Sequence, residues 1–168
     1  MMSMKWLLLL VLVNLILGGN LRKEVEEEKK KEGVVVNLIN HSHIDPGWRK
    51  TFSAYYYGRN YDVDKGHRDD RGGVRNIFRS ILSELAIDPQ KKFVIGEMAY
   101  FKLYYDHASE NLRSLIRQYL AEERLEVAGG GWVMPDEAVT YFDDLIDQCM
   151  LGHEFLRKTF NKKPIVAW

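Results

Sequence analysis

Asn40-His41-Ser42-His43-Ile44-Asp45-Pro46-Gly47-Trp48 is the stretch on which the reading of the whole chain turns. Gly33-Val34-Val35-Val36-Asn37-Leu38-Ile39 precedes it, rich in valine and free of charge. Three β-branched valines, then Leu and Ile, with no charge among them, predict a strand buried on both faces, as in parallel sheets. Pro46 and Gly47 stop the extended backbone, so the polar cluster falls at the strand's C-terminal end. Parallel α/β folds bind their ligands at that end. Alternate residues of a strand point to one side. His41, His43 and Asp45 have that spacing, which predicts two imidazoles and a carboxylate facing together. Imidazole nitrogen and carboxylate oxygen are ordinary ligands of a zinc-like ion. Trp48, just past the turn, offers a flat apolar face to a sugar ring. The plainer alternative is a strand-end cluster held by hydrogen bonds alone. A lone histidine would favour that alternative, whereas the full His-x-His-x-Asp-Pro-Gly-Trp pattern favours a metal.

Upstream, residues 1–19 have the pattern of a secretory signal peptide, with Lys5 ahead of an apolar run from Trp6 to Leu17. That run is shorter than the ~20 residues a membrane-spanning helix needs, so a signal peptide is favoured over the alternative of a short uncleaved anchor, and no stable membrane anchor is expected. Residues 20–33 are a charged spacer. The 168 residues leave room for one modest domain. Formal net charge is zero and no basic face stands out, which argues against a nucleic-acid partner. Cys149 is the sole cysteine, so no internal disulfide is possible, and it is expected as a buried thiol. The sequon Asn40-His41-Ser42 overlaps the predicted buried strand end and is expected to be unused.

Downstream, Gly58 to Gly73 reads as a solvated loop despite His67, Asp69 and Asp70. Val74, Ile77, Phe78, Ile81, Leu82 and Leu85 recur at helical spacing, and Pro89 closes that helix. Phe93 to Met98 reads as a strand with Glu97 at its C-terminal end, either on the site rim or as a buried, paired carboxylate. Leu112 to Leu120 predicts a second helix, and Arg124 to Ala128 a third strand ended by Gly129-Gly130-Gly131. Pro135-Asp136-Glu137 is expected to open a third helix, where carboxylates suit the first turn, with a site-rim position for Asp136 and Glu137 as the alternative. Pro164 to Trp168 looks like a further strand. Strands alternating with helices imply an α/β fold with a parallel sheet.

These motifs resemble those of the class II α-mannosidases, glycoside hydrolase family 38, in their lysosomal type. The resemblance runs from His41-Ser42-His43-Ile44-Asp45-Pro46-Gly47-Trp48-Arg49-Lys50-Thr51 through Tyr55-Tyr56-Tyr57-Gly58 and Phe93 to Phe101. It continues in Gly130-Gly131-Trp132-Val133-Met134-Pro135-Asp136-Glu137-Ala138, Leu151-Gly152-His153 through Phe160, and Val166-Ala167-Trp168. It implies that residues 34–168 are the N-terminal portion of a parallel (β/α) barrel of the glycoside hydrolase/deacetylase type. It assigns Zn2+ to His43 and Asp45, moves His41 to a supporting place, and gives Trp48 the bound mannose. Ile44 stands where a polar or smaller residue is common. The implied activity is zinc-dependent, retaining hydrolysis of α-mannosidic bonds in mannose-containing, N-glycan-type oligosaccharides, in the lysosome or after secretion. The family's nucleophile, which also binds the zinc, a further histidine ligand and the acid/base are expected beyond Trp168. The chain alone is therefore expected to be inactive and to need the C-terminal part of the same enzyme. Two other readings stand beside this one, a metal-dependent carbohydrate deacetylase and a non-catalytic truncated product. The long Gly-Trp-Val-Met-Pro-Asp-Glu-Ala match counts against the deacetylase.

Overall fold

The computed structural model describes residues 34, 36–58, 72–136 and 139–168. The expected signal peptide and spacer, the loop residues His67, Asp69 and Asp70, and Glu137 lie outside the described residues. The chain divides into two units, Met1–Leu38 and Ile39–Trp168. In the first, described residues 34 and 36–38 form no regular element, and Val34, Val36 and Leu38 are exposed. All that follows concerns the second.

Three segments run parallel in sequence order. Asn40 to Ser42 lies beside β1 (Phe93–Ile95), which pairs with β2 (Leu125–Val127) from Phe93↔Leu125 to Ile95↔Val127. The Val94 amide donates to the Asn40 carbonyl (2.9 Å), and the Ser42 amide to the Val94 carbonyl (3.1 Å). The expected first strand is thus far shorter than its valine run. Residues 36–39 form no strand and are exposed. An apolar run becomes a doubly buried strand only where other layers cover it. Asn40 is exposed too, so burial supplies no reason for its sequon to go unused. Residues 164–168 also form no strand; one bond, from the Gly129 amide to the Val166 carbonyl (2.8 Å), ties them to the end of β2.

Five described helices pack around these segments: α1 (Phe52–Tyr57), α2 (Val74–Ile87), α3 (Met98–Asp106), α4 (Glu110–Ala121) and α5 (Phe142–Phe160). α2 and α4 follow the expected periodicity. Ser109 caps α4 by accepting from the Leu112 amide, and Thr51 caps α1 by accepting from Ala54. α3 is invisible to periodicity because it is buried nearly all round, with Met98, Ala99, Tyr100, Phe101, Tyr104 and Tyr105 in the core. Around Phe101 gather Phe78 (5.9 Å), Phe155 (6.2 Å) and Phe160 (5.8 Å). Fully burying a ring such as Phe78, Phe101 or Phe155 contributes about 1.5–3 kcal/mol, and the partly buried Phe160 contributes less. The Arg124 guanidinium donates to the Leu85 and Asp88 carbonyls, satisfying acceptors that the end of α2 leaves open.

The third expected helix does not open at Pro135. α5 begins at Phe142, with Asp143 and Asp144 in its first turn, so Asp136 is no helix cap. The backbone of 131–136 is engaged elsewhere. The Gly131 and Trp132 carbonyls accept from the Met98 and Ala99 amides at the start of α3 (both 2.9 Å). The Trp132 amide donates to the Gln148 carbonyl in α5 (2.9 Å).

Candidate metal centre

The two bonds to Val94 hold Asn40–Ser42 against β1, so His43 and Asp45 emerge beyond the C-terminal end of the parallel segments. Gly47, at φ +85°, then reverses the chain through a conformation that favours glycine and delivers Trp48 to the surface. A second segment arrives from the end of β2. Gly129 and Gly130 adopt φ +67° and +69°, which turns the chain across the start of α3 and on to buried Met134. Asp136 follows, its amide donating to the Met134 carbonyl (2.9 Å).

These two segments bring His43, Asp45 and Asp136 together. His43 Nε2 lies 3.3 Å from Asp45 Oδ1 and 3.4 Å from Asp136 Oδ2. One donor atom from each residue falls within 4.8 Å of the others. The side chains are about two-fifths exposed, at 42%, 40% and 45%, so the cluster opens to solvent. A nitrogen set between two carboxylates is satisfied either by a proton or by a cation. One imidazole and two carboxylates within this span fit a zinc-like ion, and three protein donors leave a coordination position for a substrate oxygen.

His41, equal to His43 by spacing, does not join. Its ring sits 4.4 Å from the Trp168 ring, and its Nδ1 lies 3.2 Å from the Ser42 carbonyl. The β-spacing argument fails because extended pairing to β1 ends at Ser42, before His43. Asp136 entered from the sequence only as a helix cap or rim residue. The signal for its place was the glycine run ending a strand, which returns the chain across the sheet end. Trp48 is 72% exposed, with the Arg49 guanidinium 5.1 Å from its ring centroid.

Glu97 lies at the C-terminal end of β1 and is fully buried. Burial pushes its carboxyl up to about 7, opposed by the Ser42 hydroxyl, the Ile44 amide and His43, and assisted by Asp45. Among the described residues no arginine pairs with it, and neither oxygen closes a hydrogen bond of good geometry. Tyr100, one turn on, is pushed up to about 12 by burial first, then by Tyr55, Glu97 and Asp45.

The model of the glycosyl hydrolases family 38 N-terminal domain matches residues 33–168. A "Probable alpha-mannosidase" of Arabidopsis thaliana is 39% identical over 97% of the chain and 15% of its own length. The lysosomal alpha-mannosidases of Felis catus and Homo sapiens are 39% and 38% identical, each over 79% of the chain and 13% of their own length. The chain thus spans between 13% and 15% of the length of these relatives. With its motifs, its α/β core and a match over residues 33–168, the chain belongs to glycosyl hydrolase family 38, in that family's N-terminal domain.

Proposed function

We propose that this chain forms the zinc-holding, sugar-facing part of an α-mannosidase that acts with retention on mannose-containing oligosaccharides of the N-glycan type. The observation that carries the reading is the convergence of His43, Asp45 and Asp136 at one sheet end, in a chain of this family. Those three residues would hold the ion. When bound, it supplies a Lewis acid that anchors sugar hydroxyls. His43 offers the Nε2 lone pair, and the two carboxylates supply the negative charge that balances a divalent cation. Trp48 stacks on the apolar face of a mannose, and His41 supports the segment from behind through Trp168 and the Ser42 carbonyl.

Retaining hydrolysis needs two further carboxylates, one to attack the anomeric carbon and one to act as acid then base. Asp45 and Asp136 are committed to the ion in this reading. The nucleophile and acid/base then come from the remaining length of a protein of the relatives' size, and the 168-residue chain alone does not turn over. The parallel order of Asn40–Ser42, β1 and β2 supports an opening portion of a (β/α) barrel. Residues 1–19 as a signal peptide, 20–33 as a spacer and relatives named lysosomal support a secretory or lysosomal location. Among the described residues, no helix is long and apolar enough to cross a membrane.

A chimera tests the reading. Residues 33–168 replace the corresponding segment of a lysosomal relative, and nitrophenyl α-mannoside hydrolysis is measured. Activity that a chelator removes and zinc restores is expected, lost at least a hundredfold in His43→Ala. A folded chimera without activity, or one indifferent to His43, would sink it.

A further inference from the structure

Glu97 is a carboxyl with no evident employment. It occupies the N-cap position of α3, yet its side chain caps nothing. Backbone has displaced it from that work: the Gly131 and Trp132 carbonyls take the Met98 and Ala99 amides, the donors of α3's first turn. A carboxyl at 0% exposure costs several kcal/mol in desolvation unless hydrogen bonds compensate it, so its retention needs a partner. The polar groups beside it are the Ser42 hydroxyl and the Ile44 amide, which flank the ligand His43 and precede Asp45.

Glu97 also sits where both ligand-bearing segments cross. The Gly96 amide donates to Ser42 Oγ (3.3 Å). A Cβ at Gly96 would meet the Ser42 carbonyl oxygen and Met134 Sδ, each at 3.0 Å. The segment leading to His43 and Asp45 and the segment leading to Asp136 are therefore both pressed against Gly96, the neighbour of Glu97.

From this arrangement we infer that Glu97 is a positioning residue for the metal centre. Its carboxyl fixes the Ser42–Ile44 backbone and so sets His43 and Asp45 against Asp136. Outer partners of this kind orient ligands and typically change metal affinity about 10–100-fold when removed. The inference rests on the metal reading for its purpose, but the Ile44 amide lies beside the Glu97 carboxyl with or without an ion.

The full 168-residue chain, as Glu97→Gln and Glu97→Leu variants, tests it through two readouts. Amide hydrogen exchange in the absence of metal reports the Ile44 amide directly. Glutamine keeps an acceptor and is expected to hold Ile44 protection and zinc affinity within about threefold. Leucine is expected to lose at least tenfold in both, while amides of β1 and β2 keep their protection. Three results would overturn the proposal. One is a Leu variant equal to wild type at Ile44. Another is loss at Ile44 matched by equal loss across both strands, which is general destabilisation. The third is a Gln variant as impaired as Leu. If the wild-type chain takes up no zinc, the metal reading fails while the exchange result still decides the bond.

Discussion

At the scale of single residues, Asp136 carries the sharpest consequence. If it holds a cation beside His43, Asp136→Asn removes a negative charge and a strong donor without touching the core. Zinc affinity measured by competition with a chromophoric chelator is expected to fall at least tenfold, with the unfolding midpoint of the metal-free chain unchanged. An unaltered affinity would return Asp136 to the rim. Trp48→Ala is the complementary change. The ring is exposed, so stability should move by no more than about 0.5 kcal/mol. Loss of mannose-induced shifts in the neighbouring amides, read by NMR on the zinc-loaded chain, is the expected signature.

Glu97 sets a pH dependence whose sign is fixed by its environment. Its folded pKa of about 7 lies above the ordinary 4.5. Between those values the folded chain keeps a proton that the unfolded chain has released. Stability should therefore be full below about pH 4.5 and decline as pH rises toward 7, by up to about 3 kcal/mol. Denaturant unfolding of the metal-free chain at pH 5 and pH 8 is expected to show this decline. Glu97→Gln should flatten it, and equal slopes in the two proteins would contradict the assignment.

At the scale of elements, α5 holds the Asp136 segment in place by close backbone approach. A Cβ on Gly152 would run into the Gly130 carbonyl, with Gly131 C at 2.7 Å and Trp132 N at 2.9 Å. These are backbone atoms and cannot swing aside. Gly152→Ala is expected to cost about 1–3 kcal/mol and to weaken zinc binding together with it, because the loop that must shift delivers Asp136. Calorimetric unfolding with a parallel zinc titration checks both, and a neutral substitution would mean that the helix is free to recede.

Elements also show what could be read in advance. α2 and α4 were legible because Phe78, Leu82 and Leu85, like Ile116, Tyr119 and Leu120, line one face of a helix that is otherwise polar. α3 was not, because Tyr100, Phe101, Tyr104 and Tyr105 are buried on several sides and the apolar period vanishes. The start of α5 was misplaced because Pro135-Asp136-Glu137 has the composition of a helix opening. Gly131 and Trp132, just upstream, are instead tied by backbone hydrogen bonds to α3 and α5, and the Asp136 amide turns back to the Met134 carbonyl. For the same reason spacing found His43 and Asp45 but not Asp136, and it wrongly grouped His41 with them. Local pattern describes one segment, whereas the cluster is made where two segments cross.

At the scale of the whole molecule, the surface of Ile39–Trp168 is unusually apolar in places. Phe142, Ile146 and Met150 on α5 are exposed, as are Ile165, Val166 and Trp168 near the Gly129 contact. Among the described residues, Asn40–Ser42 is paired along one side only, by β1. Contiguous exposed apolar surface promotes association. Sedimentation velocity on the 168-residue chain should show concentration-dependent self-association, and a sharp monomer at all concentrations would argue against it.

The central claim is that His43, Asp45 and Asp136 together hold zinc, and His43 reports it most directly. With nitrogen-labelled histidine, the Nε2 resonance can be followed by NMR during a zinc titration of the full chain. The account predicts that Nε2 of His43 moves to a metal-bound position, complete at one equivalent of zinc, and that Asp136→Asn delays saturation. Zinc uptake that leaves His43 Nε2 unmoved, or no uptake at all, would contradict it.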